Sequence, residues 1–153
     1  MNRQIRTSAK GLVIQDGRML AVKLKDEDGI FYIMPGGGQT AGELLTETVE
    51  REVAEETGLS VKAGDAVFVI EGANGEEHHR VDIVFRCELI GNSAAEFHPD
   101  NNQIGYEWLD IATLNTTPLY PSKLRRPIMN LYEGKKSPVY LGNESVGDPE
   151  ITE

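Results

Sequence analysis

Apolar and polar positions alternate along several short segments of the chain, and a period of two predicts β-strands. In Arg80–Leu89, the clearest such segment, one face carries Val81, Ile83, Phe85, Cys87 and Leu89. Shorter segments of the same kind are Lys10–Gln15, Met19–Lys25, Ile30–Met34, Val61–Lys62, Ala66–Glu71, Tyr106–Leu109 and Val139–Leu141. Asp16 and Gly17, between the first two shorter segments, predict a tight hairpin turn.

A helix is predicted where the alternation stops, after the glycine run Gly36–Gly38. Glu43–Thr57 contains neither Gly nor Pro, and its Glu, Leu, Ala and Arg residues favour helix. Thr40 is the predicted N-cap because Glu43 follows three residues later, which is the capping-box spacing. Gly58 suits the position just past the last helical turn.

Strands on both sides of a central helix, followed by a late helix, predict the α/β class, with a mixed β-sheet sandwiched between helices. The late helix is predicted at Tyr120–Tyr132, although it contains Pro127, and a helical turn is predicted at Asp110–Leu114. A length of 153 residues is typical of a single domain. We assign this domain to residues 1–146 and expect residues 147–153 to form a mobile acidic tail.

The central helix carries carboxylates on the face that should pack against the core. At roughly 100° of rotation per residue, Glu52 and Glu56 share an arc with Val49 and Val53, and Glu55 lies at its edge. Unpaired carboxylates on an inward face are costly, and Mg²⁺ would supply the positive charge they need when phosphate is also present. The alternative is a solvated face with ion pairs between residues four positions apart. Spacing alone does not decide between a metal site and that face.

Composition argues against several classes of protein. The net charge of −10, from 25 acidic and 15 basic residues, argues against binding long nucleic acid or an anionic membrane surface. The single cysteine, Cys87, excludes an intramolecular disulfide and fits a reducing cytoplasm. Its place in an apolar alternation predicts a buried thiol rather than a nucleophile. The N-terminal residues have no long apolar run, so we expect neither a signal peptide nor a transmembrane segment.

The segment from Gly37 to Leu59 resembles the signature of the Nudix hydrolase superfamily. The pattern is Gly-x5-Glu-x7-Arg-Glu-Val-x-Glu-Glu-x-Gly-Leu, and its fixed positions are filled by Gly37, Glu43, Arg51, Glu52, Val53, Glu55, Glu56, Gly58 and Leu59. The resemblance implies the Nudix α/β/α sandwich, which agrees with the order of the predicted elements. It also implies hydrolysis of the pyrophosphate bond in a nucleoside diphosphate that is linked to another group.

The resemblance further implies roles for single residues, carried over by matching positions. Glu52, Glu55 and Glu56, together with the carbonyl of Gly36, correspond to metal ligands, and Glu52 to the general base. Arg51 would orient these glutamates, with Glu43 as its structural partner. The expected cofactor is Mg²⁺, with Mn²⁺ as the alternative, and the expected partner is a small nucleotide-type substrate.

Other residues are predicted to contact substrate on weaker grounds, namely Gly37, Gly38, Tyr32, Lys23 and Arg80. Glycines allow close approach of the backbone, an aromatic ring can stack on a base, and cations suit phosphate. Alternatively, the cations are ordinary solvent-facing strand residues and the tyrosine packs in the core. Nudix enzymes often take a further acid from a later loop, for which Asp100 and Glu107 are candidates, with Glu96 behind them.

The resemblance leaves the substrate open. Some ADP-ribose hydrolases of the superfamily carry a Pro after the signature, and dinucleoside polyphosphate hydrolases often carry a Tyr. This chain has no Pro between Pro35 and Pro99 and no Tyr between Tyr32 and Tyr106. By elimination it is similar to the short, MutT-like members that cleave nucleoside triphosphates. A non-catalytic nucleotide-binding regulatory domain and a plain metal-binding module are the alternatives, and a homodimer paired through Val139–Leu141 stays open.

Overall fold

The computed structural model describes residues 3–74, 78–93 and 102–151. Its strands are β1 (Gln4–Gln15), β2 (Arg18–Asp26), β3 (Gly29–Ile33), β4 (Gly36–Gly38), β5 (Leu59–Gly72), β6 (His78–Asn92), β7 (Gln103–Asp110), β8 (Leu119–Tyr120) and β9 (Tyr140–Asn143). Its helices are α1 (Leu45–Thr57) and α2 (Arg125–Tyr132), with 3₁₀ turns at Ile111–Thr116 and Ser122–Leu124. The expected α/β class with a mixed sheet is confirmed.

Strand β1 lies at the centre of the curled sheet. It pairs in parallel with β6 and antiparallel with β4 along its first part, and it forms a hairpin with β2 at its end. The full order is β8-β3-β2-β1-β6-β5-β9, and β7 pairs with β2. The predicted hairpin turn is confirmed, because Asp16 and Gly17 both have positive φ angles, of 51° and 76°.

Two apolar cores lie on the two faces of β1 and β6. On one face α1 contributes Val49 and Val53, which pack on residues of the sheet that include Cys87. On the other face α2 contributes Ile128 and Met129. The sheet is therefore covered by a helix on each side, as the sandwich requires. Burial raises the pKa of the Cys87 thiol to about 12, which agrees with the predicted buried thiol.

Helix α1 begins two residues later than the sequence predicts. Thr40 is not the N-cap, because residues 40–43 form a turn in which the Glu43 backbone N–H donates to the Thr40 carbonyl at 2.9 Å. Leu44 precedes the first helical residue, and the Glu47 carboxylate accepts from its backbone N–H at 2.8 Å. The predicted end is confirmed, since Gly58 terminates the helix with a φ of 73°.

The late helix is shorter than the sequence predicts. Tyr120 belongs to β8, and α2 begins only at Arg125. Pro127 therefore lies in the first turn of α2, where a backbone N–H has no partner within the helix and the proline ring is tolerated. The predicted helical start at Tyr120 is wrong, because Tyr120 belongs to a strand.

The C-terminal residues contact the domain. Glu144 is buried, and its carboxylate accepts from the Ser122 backbone N–H at 2.7 Å, the Ser122 hydroxyl at 2.8 Å and the Lys123 backbone N–H at 2.9 Å. Glu150, in the predicted tail, accepts from Arg125 Nη1 at 3.0 Å. The segment 147–151 thus lies against α2 and the turn before it, and the assignment of residues 1–146 to one domain stays a prediction.

The segment expected at Val139–Leu141 pairs within this chain, since β9 runs parallel to β5.

In the described ranges, neither helix is long and apolar enough to cross a membrane.

Candidate active site

Glu56 joins α1 to the glycine strand, which is β4 (Gly36–Gly38). It is buried on the last turn of α1, where its Oε1 accepts from the Gly36 backbone N–H and its Oε2 from Gln103 Nε2, both at 2.7 Å. Burial raises the pKa of Glu56 to about 7, although the two hydrogen bonds and the charge of Lys10 act in the opposite direction. The site therefore contains a carboxyl group that titrates near neutral pH.

Arg51 lies between three carboxylates. Its Nε and Nη2 donate to the two oxygens of Glu43 at 2.7 and 3.0 Å, which is a bidentate pair. Its Nη1 donates to Glu52 at 2.9 Å and to Glu55 at 3.2 Å, and Nη2 also reaches the Gly38 carbonyl at 3.2 Å. Hydrogen bonding to Arg51 lowers the pKa of Glu43 to about 2. One cation thus orients Glu43, in the turn before α1, together with Glu52 and Glu55 of α1, and connects them to β4.

The glycine strand lies very close to its neighbours at Gly36 and Gly37. A Cβ at Gly36, whose φ is 147°, would lie 2.1 Å from the Ala9 carbonyl oxygen of β1. A Cβ at Gly37 would lie 2.6 Å from the carboxyl carbon of Glu52. Only glycine permits the approach at Gly36, whereas a side chain at Gly37 would displace the flexible end of Glu52. The glycine run thus lets β4 lie between β1 and the carboxylates of α1.

A small cavity of about 200 Å³ borders this strand at Gly37 and Gly38. Its remaining walls come from β1 and β6 and are mostly basic, with lining residues Arg6, Thr7, Ser8, Lys10, His78 and Arg80. The structure thus brings Arg80 next to Gly37 and Gly38. The sequence predicts that all three residues bind substrate.

A larger cavity of about 740 Å³ adjoins the small one, because Lys10 and Arg80 line both. Its floor is apolar and includes Met34, Ile70 and Val84. Its outer walls include residues of the C-terminal segment and the rings of Phe31 and Tyr120, which meet edge to face with their centroids 6.4 Å apart. This volume falls within the range of roughly 300–1,000 Å³ that is usual for cavities that bind small organic ligands.

Lys23 and Tyr32 are placed elsewhere. Neither lines either of these two cavities, and both bond to Glu107, the tyrosine hydroxyl at 2.9 Å and the lysine amine at 3.4 Å. Glu107 thus bonds to Tyr32 and Lys23 instead of joining the carboxylates of α1. The other two candidate acids, Glu96 and Asp100, lie outside the described residues.

The donors on α1 suit a divalent cation, because Glu52, Glu55 and Glu56 all offer carboxylate oxygens, the ligands that Mg²⁺ prefers. Within the described ranges, no three Asp, Glu, His or Cys side chains already converge as a metal site. Glu52 and Glu55 instead bond to Arg51 Nη1. For these carboxylates to converge on a cation, their side chains would have to rotate away from their present partners.

Three residues of this region were missed by the sequence analysis. Arg6 was missed because β1 was expected to begin only at Lys10, which itself was not assigned to the site. The alternation Arg6-x-Ser8-x-Lys10 places polar groups on one strand face and is the signal that could have found them. Nothing in the sequence pattern singles out Gln103, which bonds to Glu56 across the fold.

The carboxylates of α1, the glycine strand and a mixed sheet with a helix on each face together define a recognisable class of protein. The sequence model of the NUDIX domain matches residues 5–131, and the chain therefore belongs to the NUDIX domain family. Members of this family hydrolyse pyrophosphate bonds.

Two relatives illustrate the range of activities near this sequence. The ADP-ribose pyrophosphatase of Methanocaldococcus jannaschii is 33% identical over 103 residues, which cover 60% of this chain and 60% of that protein. The nucleoside triphosphatase NudI of an Enterobacter species is 28% identical over 127 residues, covering 74% and 88%. The chain thus spans less than two thirds of the first relative.

Solved structures share the fold. A NUDIX hydrolase from Nitrosomonas europaea superposes with a TM-score of 0.71 and 18% identity, covering 89% of this chain and 94% of that one. The MutT protein of Methanosarcina mazei superposes with a TM-score of 0.66 and 24% identity, covering 89% and 99%.

Proposed function

We propose that this protein is a Mg²⁺-dependent hydrolase of the pyrophosphate bond in a nucleoside diphosphate that is linked to another group, with Mn²⁺ as an alternative metal. The observation that carries the proposal is the position of the glycine strand. Its residues contact Glu52 and Glu56 and also border the basic small cavity. Carboxylates for a metal and cations for phosphate thus meet at one short strand.

The proposed metal ligands are Glu52, Glu55, Glu56 and the carbonyl of Gly36. When bound, Mg²⁺ would neutralise phosphate charge and lower the pKa of water. Glu52 is proposed to take the proton of the attacking water, because its carboxylate lies against Gly37, which also lines the small cavity.

Arg51 is proposed to act as a positioning residue. Its Nη1 bonds to both Glu52 and Glu55, while its bidentate pair with Glu43 is separate from these contacts. The Glu43 pair can therefore persist when the other two carboxylates turn to a metal. The guanidinium would then stay in place and limit the orientations that Glu52 and Glu55 adopt.

The two cavities support a nucleotide-type substrate. The larger one offers an apolar floor and two aromatic rings, which suit a base, and it adjoins the cations of the smaller one. The relatives include an ADP-ribose pyrophosphatase and a nucleoside triphosphatase, so the linked group is the feature that a substrate panel must identify.

The test measures the release of a phosphorylated product from a panel of nucleoside triphosphates, ADP-ribose and nucleotide sugars. Each compound is incubated with the protein in Mg²⁺ or in EDTA. Glu52→Gln and Glu56→Gln should each lose activity by roughly 100-fold or more, because the general base or a ligand is removed. Glu88→Gln is the matched control, since Glu88 is exposed on β6, and it should keep wild-type activity. Tight nucleotide binding without turnover would favour a regulatory domain and overturn the proposal.

A further inference from the structure

We propose that the small cavity holds the two terminal phosphate groups of a nucleoside triphosphate. This chain then prefers triphosphates to nucleotides that are linked to a sugar or to a second nucleoside. The proposal rests on the proposed function, because it names the group that is joined to the nucleotide.

The first observation is a pair of arginines at directly opposed positions. Arg6 of β1 and Arg80 of β6 are partners in the parallel register, and both line the small cavity. Like charges at opposed positions destabilise a sheet, and Lys10 and His78 add basic groups to the same walls. No acidic residue occurs among the described residues that line this cavity. Asp82 offsets part of the charge of Arg80, and an anion of high charge would offset the remaining repulsion between these side chains.

The second observation is that one of these cations is built into the fold. Arg80 Nε donates to Asp82 Oδ2 at 2.7 Å, and the buried Asp82 also accepts from the Ser8 hydroxyl. Gly72 provides the space for the guanidinium, because a Cβ there would lie 2.6 Å from Arg80 Nη1. An arginine that is fixed in this way loses little further entropy when it binds a phosphate.

The third observation is the difference in size between the two cavities. The larger one, at about 740 Å³, accommodates a nucleoside. The smaller one, at about 200 Å³, lies below the range of roughly 300–1,000 Å³ typical for organic ligands. Two linked phosphate groups suit this volume, whereas a second nucleoside would have to extend beyond it.

The connection between the cavities sets the orientation of the substrate. A nucleotide in the larger cavity would run its phosphates past Lys10 and Arg80, which line both, toward Gly37 and the neighbouring Glu52. Water would then add its oxygen to one phosphorus, and the bridging oxygen would leave on the other. Glu52 takes the proton and passes it to solvent. The products are a nucleoside monophosphate and pyrophosphate.

The first test compares kcat/KM for a nucleoside triphosphate and for ADP-ribose in wild type and in Arg6→Gln. Arg6 is chosen because it is exposed, whereas a change at Arg80 would also unpair the buried Asp82. The wild type should prefer the triphosphate at least tenfold, and Arg6→Gln should lose at least tenfold on the triphosphate but less than threefold on ADP-ribose. Arg86→Gln, on an exposed position of the same strand as Arg80, should change neither value.

Preference for ADP-ribose, or an equal loss on both substrates, would overturn this inference while leaving the proposed function standing. Cleavage of no compound in the panel would overturn the proposed function instead. A second test does not depend on turnover. Inorganic pyrophosphate should raise the melting temperature of Glu52→Gln, and Arg6→Gln added to that variant should abolish the rise. An undiminished rise in the double variant would also overturn the inference.

Discussion

The carboxylate of Glu56 accepts a hydrogen bond from the Gly36 backbone N–H at 2.7 Å, which fixes the last turn of α1 against the glycine strand. The other carboxylate oxygen is held by Gln103 from β7. A single side chain thus connects three elements that are distant in sequence. Changes at Glu56 should therefore alter both the site and the stability of the fold.

Gly37→Ala should abolish most activity with little loss of stability. The new Cβ would lie 2.6 Å from the carboxyl carbon of Glu52, and the flexible end of that side chain would move away. We expect kcat/KM to fall roughly 100-fold, because displacing a reacting group by about 1 Å has effects of that order, while the melting temperature changes by less than about 3 °C. Gly38→Ala is the comparison, since its Cβ would be 3.5 Å from Arg6 and should cost much less activity. Equal losses would contradict this explanation.

Glu56→Gln should flatten the dependence of stability on pH. The pKa of Glu56 is raised from 4.5 to about 7, so between these values the folded chain binds more protons than the unfolded chain. The free energy of unfolding therefore falls as pH rises through this window. The shift corresponds to about 3 kcal/mol, and the neutral amide of the variant removes it.

Urea unfolding at pH 5 and pH 8 in EDTA measures this effect. The wild type should lose about 2–3 kcal/mol more than Glu56→Gln between the two pH values. Glu88→Gln should keep the wild-type slope, because its side chain is exposed. Parallel profiles for wild type and Glu56→Gln would show that burial does not perturb this carboxyl group.

Arg51→Lys should impair catalysis although it keeps the charge. A lysine ammonium cannot reproduce the bidentate pair with Glu43 and at the same time bond to Glu52 and Glu55. We expect kcat to fall roughly 10- to 100-fold with a smaller change in KM. Arg86→Lys is the matched control at an exposed position. Wild-type kcat in Arg51→Lys would mean that charge alone is sufficient.

Glu144→Ala should destabilise the fold. The change would remove the acceptor for two backbone N–H groups and one hydroxyl in a buried turn, those of Ser122 and Lys123. Buried donors without partners cost about 1–3 kcal/mol, so we expect a loss of about 3 kcal/mol in urea unfolding. Glu144→Gln should lose less because it keeps one acceptor oxygen. Glu133→Ala, at an exposed position, should stay within about 0.5 kcal/mol of wild type, and an equal loss there would contradict the assignment.

The sequence predicts most of the sheet and the central helix because local patterns determine them. Alternation marks the strands, and a run without Gly or Pro marks α1. It misplaces the start of α1 because Thr40 and Glu43 bond to each other in a turn outside the helix. It likewise misplaces α2, because local sequence does not reveal that Tyr120 pairs as a strand with β3.

The candidate site is only partly predictable for a related reason. Helical spacing places Glu52 and Glu56 on the inward face of α1, and the resemblance to the Nudix signature then indicates all three glutamates as ligands. Arg6 and Arg80 come together only through the register of a parallel pair between distant segments. The contact of Glu150 with the buried Arg125 also depends on the tertiary fold. Local sequence does not reveal this contact, so the acidic composition of residues 147–153 alone predicts a mobile tail.

The parallel pair of β1 and β6 has a consequence for biosynthesis. Ser8 and Asp82, which bond across it, are 74 residues apart, and ribosomes add about 5–20 residues per second. Strand β1 is made before β6 and therefore waits roughly 4–15 s for this neighbour. Until then one edge of β1 is exposed to wrong partners, and chaperone contact with the nascent chain should be greatest before residues 78–87 emerge.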